Sequence, residues 1–136
     1  MVEFFAHSLQ VIDLPVWSVT GGGEPLALAF LQPEDVVVGI ILRRNPRNVL
    51  NAMQEAQSVG AKSIGITDSE LSPALQLSDY PFVAVMGGVV HSSSPVAAVS
   101  LLNALIAALS LGAPEETAQS LHQVDSAYER SGLLDE

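Results

Sequence analysis

Short apolar runs and helical stripes alternate along the chain. The run Val36-Val37-Val38-Gly39-Ile40-Ile41-Leu42 has the length and β-branched content of a strand covered on both faces, as in a parallel sheet flanked by helices. Lys62 to Thr67 predicts a second buried strand, Phe82-Val83-Ala84-Val85 a third, and Val16-Trp17-Ser18-Val19 a further one near the start. Between them the spacing turns helical. Phe4, Phe5, Leu9 and Ile12 mark a first helix that stops before Pro15, and Pro25 opens a short one carrying Leu26, Leu28, Phe30 and Leu31. After the Val36 strand, Asn45 is expected to cap and Pro46 to open a helix in which Val49, Leu50, Met53 and Ala56 recur until Gly60 supplies the stop. Ser72 caps and Pro73 starts a short helical turn through Leu77. Ser94 and Pro95 open a helix closed by Gly112, and Pro114-Glu115-Glu116 opens the last one, ended by Gly132. Strands alternating with helices predict an α/β fold built on a parallel sheet.

Composition narrows this picture. With 136 residues, 49% of them apolar, the chain is expected to form one domain over 1–136. A formal net charge of −10 opposes direct binding to nucleic acid, where cations must displace counterions from phosphates. There is no cysteine, which suits a reducing cytoplasm, and the N-terminus lacks the pattern of a secretory signal. The stretch from Pro95 to Leu111 is nearly as long and apolar as a short membrane span. Ser100, Asn103 and Ser110 interrupt it and no basic flank orients it, so a helix buried in a core or at a subunit interface is expected instead.

Candidate chemistry gathers at the predicted strand ends. Three of the five cationic side chains, Arg43, Arg44 and Arg47, fall in the turn between the Val36 strand and the following helix. A helix N-terminus presents unpaired N–H groups and partial positive charge, so guanidinium groups there make a seat for phosphate, with Asn45 and Asn48 as further donors. Offsetting the chain's own acidic surface is the plainer role for the same arginines. In an open parallel sheet ligands collect beyond the carboxyl ends of the strands, which brings Arg43 to Asn48, Thr67 to Ser69 and Met86 to Ser94 to one edge. Ser92, Ser93 and Ser94 add hydroxyls before a helix, where Ser94 has an obvious capping role. The Gly21-Gly22-Gly23 triplet lacks the companions of a phosphate loop and reads as a connector. His91 falls near the same edge, and Asp68 and Glu70 follow a strand, with Asp68 expected to cap its own turn. No metal-ligand spacing or nucleophile motif is present, and no cofactor is expected.

Glu34-Asp35-Val36-Val37-Val38-Gly39-Ile40, Arg43-Arg44, Arg47, Ala56, Gly60-Ala61, Ile64, Ile66-Thr67-Asp68 and Ser72-Pro73 together resemble a sugar isomerase (SIS) domain. The match is most like the C-terminal effector domain of RpiR-type transcriptional regulators, and Ser94 and Leu101-Leu102-Asn103-Ala104-Leu105 extend it. The resemblance implies a three-layer, doubly wound α/β sandwich of flavodoxin-type order. It implies phosphorylated sugars or amino sugars as ligands, and dimers or tetramers assembled through helices, here the helix at 95–111.

The departures from the family pattern are as informative. The family places hydroxyl side chains in the loop after this strand, where this chain has Ile41, Pro46 and Val49. The chain also starts in what resembles the family's first helix, so the first, central strand and its Gly/Ser loop are expected to be missing, as is a helix-turn-helix domain. Closing the sheet would then require the Val16 strand to pair with the Val36 strand, or a strand from another subunit. The function expected on these grounds is non-enzymatic sensing of a sugar phosphate at Arg43, Arg44, Asn45, Arg47, Asn48, Thr67, Ser92, Ser93 and Ser94. A ligand-independent assembly module is the alternative, and a sugar-phosphate isomerase a lesser one.

Overall fold

Three strands, β1 (Val36–Ile41), β2 (Lys62–Thr67) and β3 (Tyr80–Val83), lie parallel in the order β1-β2-β3 in a computed structural model. The structure describes residues 1–20, 22–87 and 94–132. Two compact units result, one of Val19–Leu101 containing the sheet, the other of Met1–Ser18 with the chain from Leu102 onward.

Within the sheet unit, α3 (Arg47–Val59) packs on β1 and β2, and the short α2 (Glu24–Leu28) packs on α3. Gly39 and Gly65 stand opposite each other in the β1–β2 register. Their missing side chains make the slot that Met53 of α3 occupies. A Cβ on Gly39 would sit 2.6 Å from the Met53 sulfur, and one on Gly65 3.2 Å from the Met53 methyl and 2.0 Å from Ser78 Oγ. Met53 is fully buried with Ile41 and Ala74, and Val49, Leu50 and Leu77 pack around them. Burying a side chain of this size contributes about 1.5–3 kcal/mol. Gly60 ends α3 in the left-handed region at φ 88°, as its position in the sequence predicts.

Hydrogen-bond parity explains two features of the sheet. The Lys62 N–H bonds the Asp35 carbonyl at 3.2 Å, so residues 35, 37, 39 and 41 face β2, and the N–H and C=O groups of Val36, Val38 and Ile40 face the other way. On the far side, the Ala84 N–H bonds the Thr67 carbonyl at 2.7 Å, which turns the backbone nitrogen of Pro81 outward. A proline is tolerated there because β3 is an edge strand and no ladder bond is lost.

Three expectations need correction. β3 spans Tyr80–Val83 rather than residues 82–85, the proline being no obstacle at an edge. Val16 to Val19 forms no strand: it has the composition of one, but strand propensity is realised only against a pairing neighbour, and none pairs with it. Pairing of this segment with the Val36 strand, one of the two expected closures of the sheet, is therefore absent among the described residues. Lastly, Pro46 is the N-cap of α3 rather than its first residue, and Asn45 does not cap it.

In the other unit, α1 (Val2–Val11) packs on α5 (Pro114–Ser131). Phe5, Ala6 and Ser120 are buried, and the Thr117 hydroxyl donates to the Ser110 carbonyl. Gly132 closes α5 at φ 64°. The apolar α4 (Val96–Gly112) runs through the boundary between the two units in sequence. No single helix among the described residues is long and apolar enough to cross a membrane.

Candidate functional site

Parallel strands deliver their carboxyl ends to one edge of the sheet, and the bonds formed there tie the following loops together. Arg43 adopts a left-handed conformation, φ 71°, that costs a non-glycine residue about 1–3 kcal/mol. Its N–H donates to Asp68 Oδ2 at 2.9 Å, joining the loop after β1 to the loop after β2. Asp68 thus serves the neighbouring loop rather than its own turn, correcting the sequence expectation. The turn after β2 is held instead by Thr67 Oγ1, which accepts from the Ser69 N–H at 3.4 Å. Ser72 caps the 3-10 turn Pro73–Leu75 as expected, and its hydroxyl donates to Asn45 Oδ1 at 2.9 Å.

Arg43, Arg44, Asn45, Arg47 and Asn48 are all exposed, and they lead directly into the first turn of α3. That helix has no side-chain cap among the described residues, and the Val49 and Leu50 N–H groups bond the Pro46 carbonyl at 3.2 and 3.3 Å, which leaves the Arg47 and Asn48 N–H groups as those that open it. Thr67 is fully buried beneath this edge. Ser94 is half-buried, and its hydroxyl accepts from the Val96 N–H at 3.4 Å, a capping bond of the kind predicted. Ser92, Ser93 and His91 lie outside the described residues.

A carboxylate that sequence reasoning missed also stands at the mouth of α3. Asn48 Nδ2 donates to Glu24 Oε1. This bond, with the backbone N–H groups of Glu24 and Gly22, holds the Glu24 carboxyl below its ordinary value against a smaller opposing effect of desolvation. No local signal predicts the pairing, since the two residues lie on different helices. Glu24 is therefore an anionic neighbour that any phosphate at this turn must accommodate.

The other polar cluster in the sheet unit has a different character. Asp79 Oδ2 accepts from the Ser63 N–H at 2.8 Å and from the Ser63 hydroxyl at 3.3 Å, while Lys62 Nζ lies 3.3 Å from Oδ1. The Ser63 N–H bond is the main cause of the lowered Asp79 carboxyl, followed on the favourable side by the bond and charge of Lys62. Ser63 is buried, and its hydroxyl also donates to the Leu77 carbonyl at 2.9 Å. No group of three or more His, Cys, Asp or Glu among the described residues is placed to hold a metal ion. A mainly apolar concavity of about 810 Å³ exists in the other unit, lined by residues such as Ile12, Leu105, Leu109 and Thr117, and none of the described predicted site residues borders it.

The fold is an α/β one built on a parallel sheet, and the SIS domain model matches residues 3–113. The chain belongs to the SIS domain family. Among solved structures it is similar to the sugar isomerase domain of an RpiR transcription factor from Sphaerobacter thermophilus. That likeness has 31% identity and a TM-score of 0.82, covering 92% of this chain and 71% of the other. Two more distant structures share the fold. One is the Vibrio vulnificus NanR protein complexed with ManNAc-6P, at 18% identity and TM-score 0.73, covering 93% of this chain and 50% of NanR. The other is a candidate sugar-phosphate isomerase from Listeria monocytogenes, at 23% identity and TM-score 0.72, covering 87% of this chain and 65% of that one. The chain thus spans half of NanR. No curated protein matches its sequence.

Proposed function

We propose that the domain is a non-enzymatic sensor of phosphorylated sugars, seating the phosphate at Arg43, Arg44, Arg47 and the opening turn of α3. The observation that carries this reading is the conjunction of an uncapped helix N-terminus with exposed guanidinium groups at the carboxyl edge of a parallel sheet. Arginine suits the task because it donates charge-assisted, bidentate bonds, which offset the hydroxyls that Ile41, Pro46 and Val49 do not supply. Asn45 and Asn48 border the seat, and Thr67 underlies it. Ser92, Ser93 and Ser94 are assigned to the sugar end of the ligand. The NanR complex with ManNAc-6P supports the ligand class. Under this reading, glucosamine 6-phosphate raises the melting temperature and the double change Arg43→Ala with Arg44→Ala removes the rise. The absence of a shift across a broad panel of sugar phosphates would count against it. Turnover of a ketose–aldose phosphate pair, lost in His91→Ala or Glu70→Gln, would replace sensing by isomerisation.

A second reading, ligand-independent assembly through the helix at 95–111, is favoured by the exposure of Val96, Leu109 and Leu111 on an otherwise apolar α4. Light scattering that shows a stable oligomer indifferent to sugar phosphates would support it.

A further inference from the structure

The seat proposed for phosphate is not uniformly cationic. Arg43, Arg44 and Arg47 lead into α3, whereas Glu24, on α2, brings a carboxylate to the second residue of that helix and accepts there from Asn48 Nδ2. Because α2 packs on α3 within the sheet unit, the fold itself carries the carboxylate to this place. The donors that hold it, the Asn48 amide and the backbone N–H groups of Glu24 and Gly22, are all neutral. They favour the ionised form without cancelling its charge. On the reading of this turn as a phosphosugar seat, we propose that Glu24 is its specificity-determining residue. It rejects anions that bring no hydrogen-bond donor and admits phosphate esters whose organic part supplies one.

Two effects separate these classes of ligand. Arginines beside a helix opening attract any dianion, and alone they would not distinguish one phosphate ester from another. A negative charge fixed beside the opening weakens every incoming dianion, by about tenfold in affinity for charges several ångströms apart in partly solvated surroundings. A ligand that carries a hydroxyl or an ammonium recovers this loss. Its donor replaces Asn48 as the partner of the carboxylate, in a charge-assisted bond. Discrimination then comes from a repulsion that only one class of ligand relieves.

Calorimetric titrations at about pH 8, where phosphate esters have lost their second proton, compare glucosamine 6-phosphate with methyl phosphate and sulfate, neither of which has a donor. In the unaltered chain the sugar phosphate should bind best. Glu24→Gln is expected to tighten methyl phosphate and sulfate roughly tenfold while changing glucosamine 6-phosphate by less than about threefold, so that selectivity falls. Glu24→Asp keeps the charge and should keep most of the selectivity, with circular dichroism unchanged in both variants. Equal factors for all three ligands in Glu24→Gln would reveal a general charge effect only, and no change in any would place Glu24 out of reach of the ligand. Either result overturns the proposal. Binding indifferent to Arg43→Ala with Arg44→Ala, or no binding at all, would remove the seat and this proposal with it. Arginine-dependent binding whose selectivity survives Glu24→Gln overturns this proposal alone.

Discussion

The two polar clusters of the sheet unit use similar side chains to opposite ends. Around Asp79, the hydroxyl and N–H of Ser63 are buried and paired within the chain, so their contribution is complete on folding. Around Arg43, the guanidinium-bearing residues are exposed, the helix they precede lacks a side-chain cap, and the backbone is in a conformation that costs free energy. A saturated polar cluster stabilises a fold. An exposed and cationic one presents its charge to solvent, which is where the proposed phosphate seat lies.

Substitutions sharpen this contrast, beginning beneath both clusters. Met53→Ala empties the slot between Gly39 and Gly65 and should lower unfolding stability by about 3 kcal/mol in urea titration. A loss below 1 kcal/mol, an order-of-magnitude bound for core truncation, would mean the sheet does not rely on this helix. Ser63→Ala leaves the Leu77 carbonyl and Asp79 N–H without their shared hydroxyl and should cost about 2 kcal/mol, with no effect on anion binding.

Acid tests the same cluster through its charge. The carboxyl of Asp79 is lowered in the folded chain from an ordinary value of 3.8, so its contribution is fully present above that value and is lost as pH falls through the folded one. Asp79→Asn should flatten this acidic part of the stability profile, measured by thermal unfolding across the range. An unchanged profile would assign the acid sensitivity to other carboxylates.

At the other cluster the sign reverses. Arg43→Gly relieves the left-handed backbone and should stabilise the chain by about 1 kcal/mol while weakening phosphate binding. Destabilisation instead would show that contacts of the Arg43 side chain outweigh the backbone cost. Arg44→Ala should change stability by less than about 0.5 kcal/mol, as surface substitutions do, and still reduce affinity.

Much of the fold was legible because its signals are local. Gly60 ends α3, Ser72 and Pro73 open the 3-10 turn, and β2 has the predicted limits Lys62–Thr67. What escaped depends on neighbours. Val16 to Val19 has strand composition but no pairing strand among the described residues, and the third strand begins at Tyr80 rather than Phe82 because the Pro81 nitrogen faces outward from the sheet. The arginine turn was visible as a cluster of like charges in an acidic chain. Glu24 at Asn48, Asp68 at Arg43 and Ser72 at Asn45 were not, because each joins residues at least 24 positions apart that only the folded sheet brings together.

Calorimetric titration of glucosamine 6-phosphate into the unaltered chain and into the Arg43→Ala, Arg44→Ala chain tests the central claim most directly. Saturable binding that is lost in the double variant, with both proteins equally folded, is the predicted result. Equal binding in the two chains, or none in either, would contradict the assignment of this turn as the ligand seat.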